Sequence, residues 1–102
     1  MNAFDTARFF KALSEPPRIA ILHILSEHPD MLTVDKLIEK LHAAGFPLEQ
    51  PTFSHHLKIL RRAGMVTYRH HWHHHYYSVC PDAFAAMAEA LCPFMAEVEV
   101  AV

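Results

Sequence analysis

Proline and glycine punctuate this chain, and the spacing of the breaks limits what it can become. Pro16-Pro17, Pro29-Asp30, Gly45 with Pro47, Pro51, Gly64 and Pro81 interrupt the sequence, and both residue types are poorly tolerated inside regular elements. Between the breaks lie runs of helix length. "AFDTARFFKAL" predicts a first helix with Phe9, Phe10 and Leu13 on its apolar side. "PRIAILHILSEH" predicts a buried second helix that carries Ile19, Leu22, Ile24 and Leu25 and has proline in its first turn. "TVDKLIEKLHAA" predicts a third helix, with Thr33 as N-cap, Val34, Leu37, Ile38 and Leu41 at helical spacing, and Gly45 closing it.

The fourth segment, "QPTFSHHLKILRRAG", is the most informative. Phe53, Leu57 and Leu60 fall at i, i+4 and i+7 and form one buried stripe, with His56 beside it. The opposite face holds Pro51, His55, Lys58 and Arg62, flanked by Ser54 and Arg61, and has no carboxylate. After Gly64, "MVTYR" and "HYYSV" are rich in branched and aromatic residues and predict two strands of a hairpin. A last helix follows in "DAFAAMAEALCPFMAEVEV", with Phe84, Met87, Leu91, Phe94 and Val98 along one side and Pro93 expected to kink or interrupt it.

The predicted fold is mainly α with a small β-hairpin, in the order ααααββα of a winged helix-turn-helix. At 102 residues one core is expected, so the whole chain, 1–102, reads as a single domain. The helix-turn-helix spans about 33–63, the wing about 65–79 and a C-terminal helix about 82–100. The first and last helices have apolar sides that the others need not cover, and a homodimer interface would use them. The N-terminus "MNAFDTARFF" lacks the basic start and long apolar stretch of a secretory signal, and no apolar run approaches bilayer length. The expected location is the cytoplasm, with no membrane partner.

Net charge is −2, which argues against nucleic acid until its distribution is considered. From Gln50 through Pro81 there is no Asp or Glu, and Lys58, Arg61, Arg62 and Arg69 give this stretch +4 against −6 for the rest. A basic segment without acids, inside an acidic protein, is the footprint of a surface that meets phosphates.

These residues resemble the ArsR/SmtB transcriptional repressors. "FKALSEPPRIAILHIL" is similar to that family's opening pattern, "QPTFSHHLKILRRAGMV" to its recognition-helix pattern, and "YYSV" to its second wing strand, so the likeness spans about Phe10 to Val79. It implies a homodimer that binds double-stranded operator DNA and leaves it when an effector binds. Carried over by position, Gln50, Thr52, Ser54 and His55 become candidates for groove contacts, and Lys58, Arg61 and Arg62 for phosphates. Their chemistry agrees: Gln reads adenine, Ser and Thr bond bases or phosphates, and Lys and Arg supply salt-dependent affinity. His56 reads better as a packing residue. The sequence departs from the family pattern in three places. The third helix and its turn look one turn longer, through "HAAGF"; Thr33-Val34-Asp35 stands where metalloid sensors carry Cys-Val-Cys; and the last helix has none of the histidines of the zinc and nickel sensors.

Between His70 and His75 every residue except Trp72 is histidine. If Arg69 pairs with His74, then His70 faces His73 and His75 lies two residues along on the same face. Opposed Cβ atoms about 5 Å apart would let His70, His73 and His75 converge on a tetrahedral metal ion. The turn would centre on His71-Trp72, with neither Gly nor Asn to pin the register. Alternatively the cluster is a functionally neutral surface, or it is the wing itself, with Arg69, His71 and Trp72 beside the DNA. Histidines ordinarily gain charge near pH 6.5, so DNA affinity would then rise as pH falls.

Cys80 and Cys92 are too few for a disulfide scaffold. On one straight helix they would sit about 18 Å apart, so pairing would have to cross a dimer axis. They read either as small apolar residues in a packed helix or as candidate effector residues, toward an oxidant, a sulfur species, a metalloid or, since both precede proline as in some heme-responsive proteins, heme. An enzyme is not expected, because the chain has no Gly-rich phosphate loop and no framed acid-base pair. The rival class is a histidine-rich metal-binding module without sequence-specific DNA binding.

Overall fold

The helices begin and end where local chemistry tells them to. A computed structural model of the chain describes the backbone of residues 2–30 and 32–100, and the side chains of these up to residue 95. Helix α1 (Ala3–Ala12) is capped by Asn2, whose side chain accepts from the Asp5 N–H at 2.8 Å. Helix α2 (Pro16–Ser26) opens on its two prolines, and α3 (Val34–Ala43) is capped by the Thr33 hydroxyl, which accepts from the Lys36 N–H at 3.3 Å. Helix α4 spans Gln50–Arg62. Both α3 and α4 end on a glycine in the left-handed region, Gly45 at φ +93 and Gly64 at φ +77. The next N–H then returns to the helix, from Phe46 to the Leu41 carbonyl (2.9 Å) and from Met65 to the Leu60 carbonyl (3.1 Å). Only a residue free of a Cβ penalty makes that turn cheaply.

A three-stranded antiparallel sheet replaces the expected two-stranded hairpin. Strands β2 (Val66–His71) and β3 (His74–Val79) form the ribbon, and a two-residue strand β1 (Leu32–Thr33) pairs with Tyr77 and Tyr76 of β3. Thr33 serves both elements because an N-cap residue has extended backbone angles, here φ −71 and ψ 161. The ribbon register also differs from expectation. Arg69 pairs with Tyr76, not His74, and His70 pairs with His75, not His73. The turn is Trp72-His73, with Trp72 at φ +59 taking the left-handed position that a glycine would ordinarily fill.

The core lies where α2, α3 and α4 meet under the ribbon. Ile21, Leu25, Leu37, Leu41, Phe53 and Leu60 are almost fully buried, with Met65, Val66 and Tyr77 closing the layer. The predicted stripe on α4 is therefore the packed one. Ile19 is instead exposed, and Ile21 takes its place inside. Helix α5 (Pro81–Val100) runs through Pro93 without interruption. Glu89, whose carbonyl the missing N–H would have served, lies like Pro93 on an exposed stretch, where water can satisfy it. Phe84 of α5 meets Phe9 of α1 edge to face at 5.3 Å, and Met87 is buried beneath them. Phe4 (83% exposed), Phe10, Phe94 (71%) and Met95 remain uncovered on these two helices. The side chain of Val98 lies outside the described residues.

Candidate nucleic-acid interface

Burying Phe53, Leu57 and Leu60, each contributing about 1.5–3 kcal/mol, fixes the rotation of α4 and so decides what the other side presents. Gln50, Thr52, Ser54, His55, Lys58, Arg61 and Arg62 are all exposed. Ser54, Lys58, Arg61 and Arg62 border one side of an open groove of about 480 Å³ that Tyr77 of the ribbon closes on the other. Lys58 and Arg62 of the predicted basic face are exposed and share this groove with the ribbon, while Arg62 also borders two grooves against α1, one of them shared with Asp5.

Arg61 joins the two elements. Its guanidinium carbon sits 4.3 Å from the centre of the Tyr68 ring on β2, a cation–π contact. Tyr68 packs in turn against Tyr77 (5.7 Å) and His75 (5.1 Å) of β3. Burial raises the Tyr77 hydroxyl above its usual range, with the Arg61 charge opposing.

His56 has a partner that the sequence reading did not find. Arg18 of α2 is buried, and its Nε donates to His56 Nδ1 at 3.0 Å while its Nη1 donates to the Lys11 and Ala12 carbonyls at 3.3 Å. A guanidinium is always a donor, so Nδ1 here must be the unprotonated nitrogen. Burial, and then the charge of Arg18, hold His56 below its ordinary value, with Glu15 opposing weakly. The clue lay in spacing. Arg18 falls at i relative to Ile21, Leu22 and Leu25, a charged residue on a core stripe.

On the ribbon, alternation puts Tyr68, His70, His75 and Tyr77 on the face toward α4, and Arg69, His71, His74 and Tyr76 on the other. Trp72 stands at the tip, 78% exposed. The proposed triad of His70, His73 and His75 is not assembled in this register: His73 belongs to the turn, and His70 meets His75 alone. Among the described residues no three His, Cys, Asp or Glu side chains are gathered to hold a metal. Cys80 is half-buried and Cys92 exposed, both as free thiols, and the continuous helix keeps them apart. Among the described residues no helix is long and apolar enough to cross a membrane.

Residues 15–68, which include α2, α3 and α4, match the family model of the bacterial regulatory proteins of the arsR family. The chain belongs to the ArsR family. Over 76 residues, 74% of this ArsR-family chain, it is 40% identical to an uncharacterised HTH-type transcriptional regulator of Methanocaldococcus jannaschii, of which it covers 79%. Its fold matches the crystal structure of an ArsR-family transcriptional regulator with a TM-score of 0.80 at 22% identity, covering 97% of this chain and 95% of that one. The transcriptional repressor BigR from Xylella fastidiosa matches with a TM-score of 0.66 at 26% identity, over 90% and 88% of the two chains. The ArsR assignment makes the protein a DNA-binding transcriptional regulator rather than an enzyme. It also decides against a histidine-rich module with no DNA function.

Proposed function

We propose that this ArsR-family regulator acts as a homodimeric repressor that lays α4 in the major groove of an operator and its ribbon along the flanking backbone. The observation that carries this reading is the exposed, acid-free face from Gln50 to Arg62, tied to the ribbon by Arg61 and Tyr68. Gln50, Thr52, Ser54 and His55 read bases, Lys58, Arg61 and Arg62 grip phosphates, and Arg69, His71 and Trp72 extend the contact along the ribbon. The exposed Phe4, Phe10, Phe94 and Met95 pair α1 and α5 with their twins, so that the unit divides into a helix-turn-helix at 33–63, a wing at 65–79 and a dimerisation helix at 82–100. An effector releases the complex, and the free thiols of Cys80 and Cys92 are where a thiol-reactive oxidant or metalloid would act; heme is the less favoured effector.

Fluorescence anisotropy on the duplex upstream of the protein's own gene tests the reading. Losing two base contacts at about 1–3 kcal/mol each, the Ser54→Ala/His55→Ala protein should bind at least tenfold more weakly while its non-specific binding persists. Unchanged specific binding overturns the assignment of α4. In the same assay, Lys58→Ala should lower the salt slope by about 1. A ribbon whose histidines meet phosphates should bind with a steeper salt dependence at pH 6 than at 7.8, whereas equal slopes exclude protonation as a contributor.

A further inference from the structure

The corrected register sets two pairs of histidines opposite one another, and in one pair the two rings meet, although His75 also packs against Tyr68. On the outer face, His71 packs edge-on against Trp72 (6.0 Å) and His74 against Tyr76 (6.2 Å). On the face toward α4, His70 and His75 meet each other, with ring centres 4.8 Å apart and planes at 79°. Two nitrogens bound to one metal ion at about 2.0–2.1 Å must stand roughly 3 Å apart, a spacing these rings reach by rotating about the broad terminal torsion of histidine. The strand pairing already holds the two backbones in place, so coordination orders only the side chains. His75 lines a groove of about 280 Å³ together with His73 and His74, which Asp35 at the start of α3 also borders and His70 does not.

We propose that His70 and His75 form a two-nitrogen chelate for a borderline divalent transition metal, of the class Cu(II), Ni(II) and Zn(II), with water completing the coordination. Imidazole donors select these ions over Mg(II) and Ca(II), and Cu(II) binds most tightly of the series. The site stands on ribbon geometry alone and does not depend on how α4 reads DNA. It also differs from the sequence expectation, because His73 takes no part.

Trp72, the chain's single tryptophan, lies in the turn beside the pair and reports on it directly. Tag-free full-length protein at pH 7.5 is titrated with Cu(II), and separately with Ni(II), while Trp72 emission is followed. Saturable quenching at one equivalent per chain is expected, with two nitrogen couplings in the Cu(II) electron paramagnetic resonance spectrum. The His70→Asn/His75→Asn protein should bind at least tenfold more weakly and lose those couplings, whereas His71→Asn/His74→Asn should stay within threefold. All four positions are exposed, and circular dichroism checks that both variants fold. Wild-type affinity in the His70/His75 variant, or an equal loss in both variants, overturns the proposal.

Discussion

Replacing His56 with phenylalanine tests the buried polar contact that ties α4 to α2. Phenylalanine fills similar space and removes the ring nitrogen that accepts from Arg18 Nε at 3.0 Å. Arg18 then keeps only its two 3.3 Å contacts to main-chain carbonyls, and the only ion pair among the described residues is Lys36–Glu39, elsewhere on the surface. A hydrogen bond from a charged donor contributes about 1.5–3 kcal/mol, and a buried donor left without its acceptor sits at the upper end. The expected loss is therefore about 2–3 kcal/mol, or a Tm lower by roughly 8–24 °C in a domain of this size. His56→Gln, which can present an amide oxygen, should recover at least half of it. Urea unfolding at fixed protein concentration is the assay, because the proposed dimer would make apparent stability concentration-dependent.

Acidity supplies a second readout with a defined sign. His56 is held below 6.5, by burial first and then by Arg18, so the folded protein resists a proton that the unfolded chain accepts. Its contribution is complete above about pH 6.5 and is lost progressively as pH falls from there through the lowered native value. Between pH 7.5 and 5.5 the wild type should lose more stability than His56→Phe, the other nine histidines being common to both. A variant within about 0.5 kcal/mol of wild type at pH 7.5, inside the range of ordinary surface changes, would refute the reasoning. So would identical pH dependence in the two proteins.

Other perturbations should separate packing, backbone and assembly. Leu37→Ala, at a fully buried position, should cost about 2–5 kcal/mol in urea unfolding. Gly64→Ala meets no atom within 4 Å, but its φ of +77 should still cost about 1–2 kcal/mol by the same measurement, from the left-handed backbone alone. Phe10→Ser with Phe94→Ser removes exposed apolar area from α1 and α5 and should shift the proposed dimer toward the monomer in sedimentation without changing helix content.

What could be read in the sequence was what repeats or what punctuates. The stripe of Phe53, Leu57 and Leu60 fixed α4 because three large residues at helical spacing have one way to be buried, and Gly45 and Gly64 marked helix ends because their φ values suit little else. The ribbon's existence was legible in its branched and aromatic residues, but its register was not. Trp72 occupies the left-handed turn position without being a turn-forming residue, so nothing local announced which histidines would face each other. Strand β1 is two residues long and shares Thr33 with a helix cap, too short for any alternation. Arg18 was hidden differently, since its partner is 38 positions away and only the fold brings them together. On the interface, the exposed face of α4 followed from its buried one, while the tie through Arg61 and Tyr68 needed coordinates.

That tie, Arg61 seated on Tyr68 with Tyr77 and His75 packed behind it, joins the helix and the ribbon like two prongs of one fork. In the proposed binding mode, a tie between the prongs resists adjusting one of them alone to a duplex that is over- or underwound between them. The distance and twist separating the two contact points would then become part of what is recognised, beyond the letters under either prong.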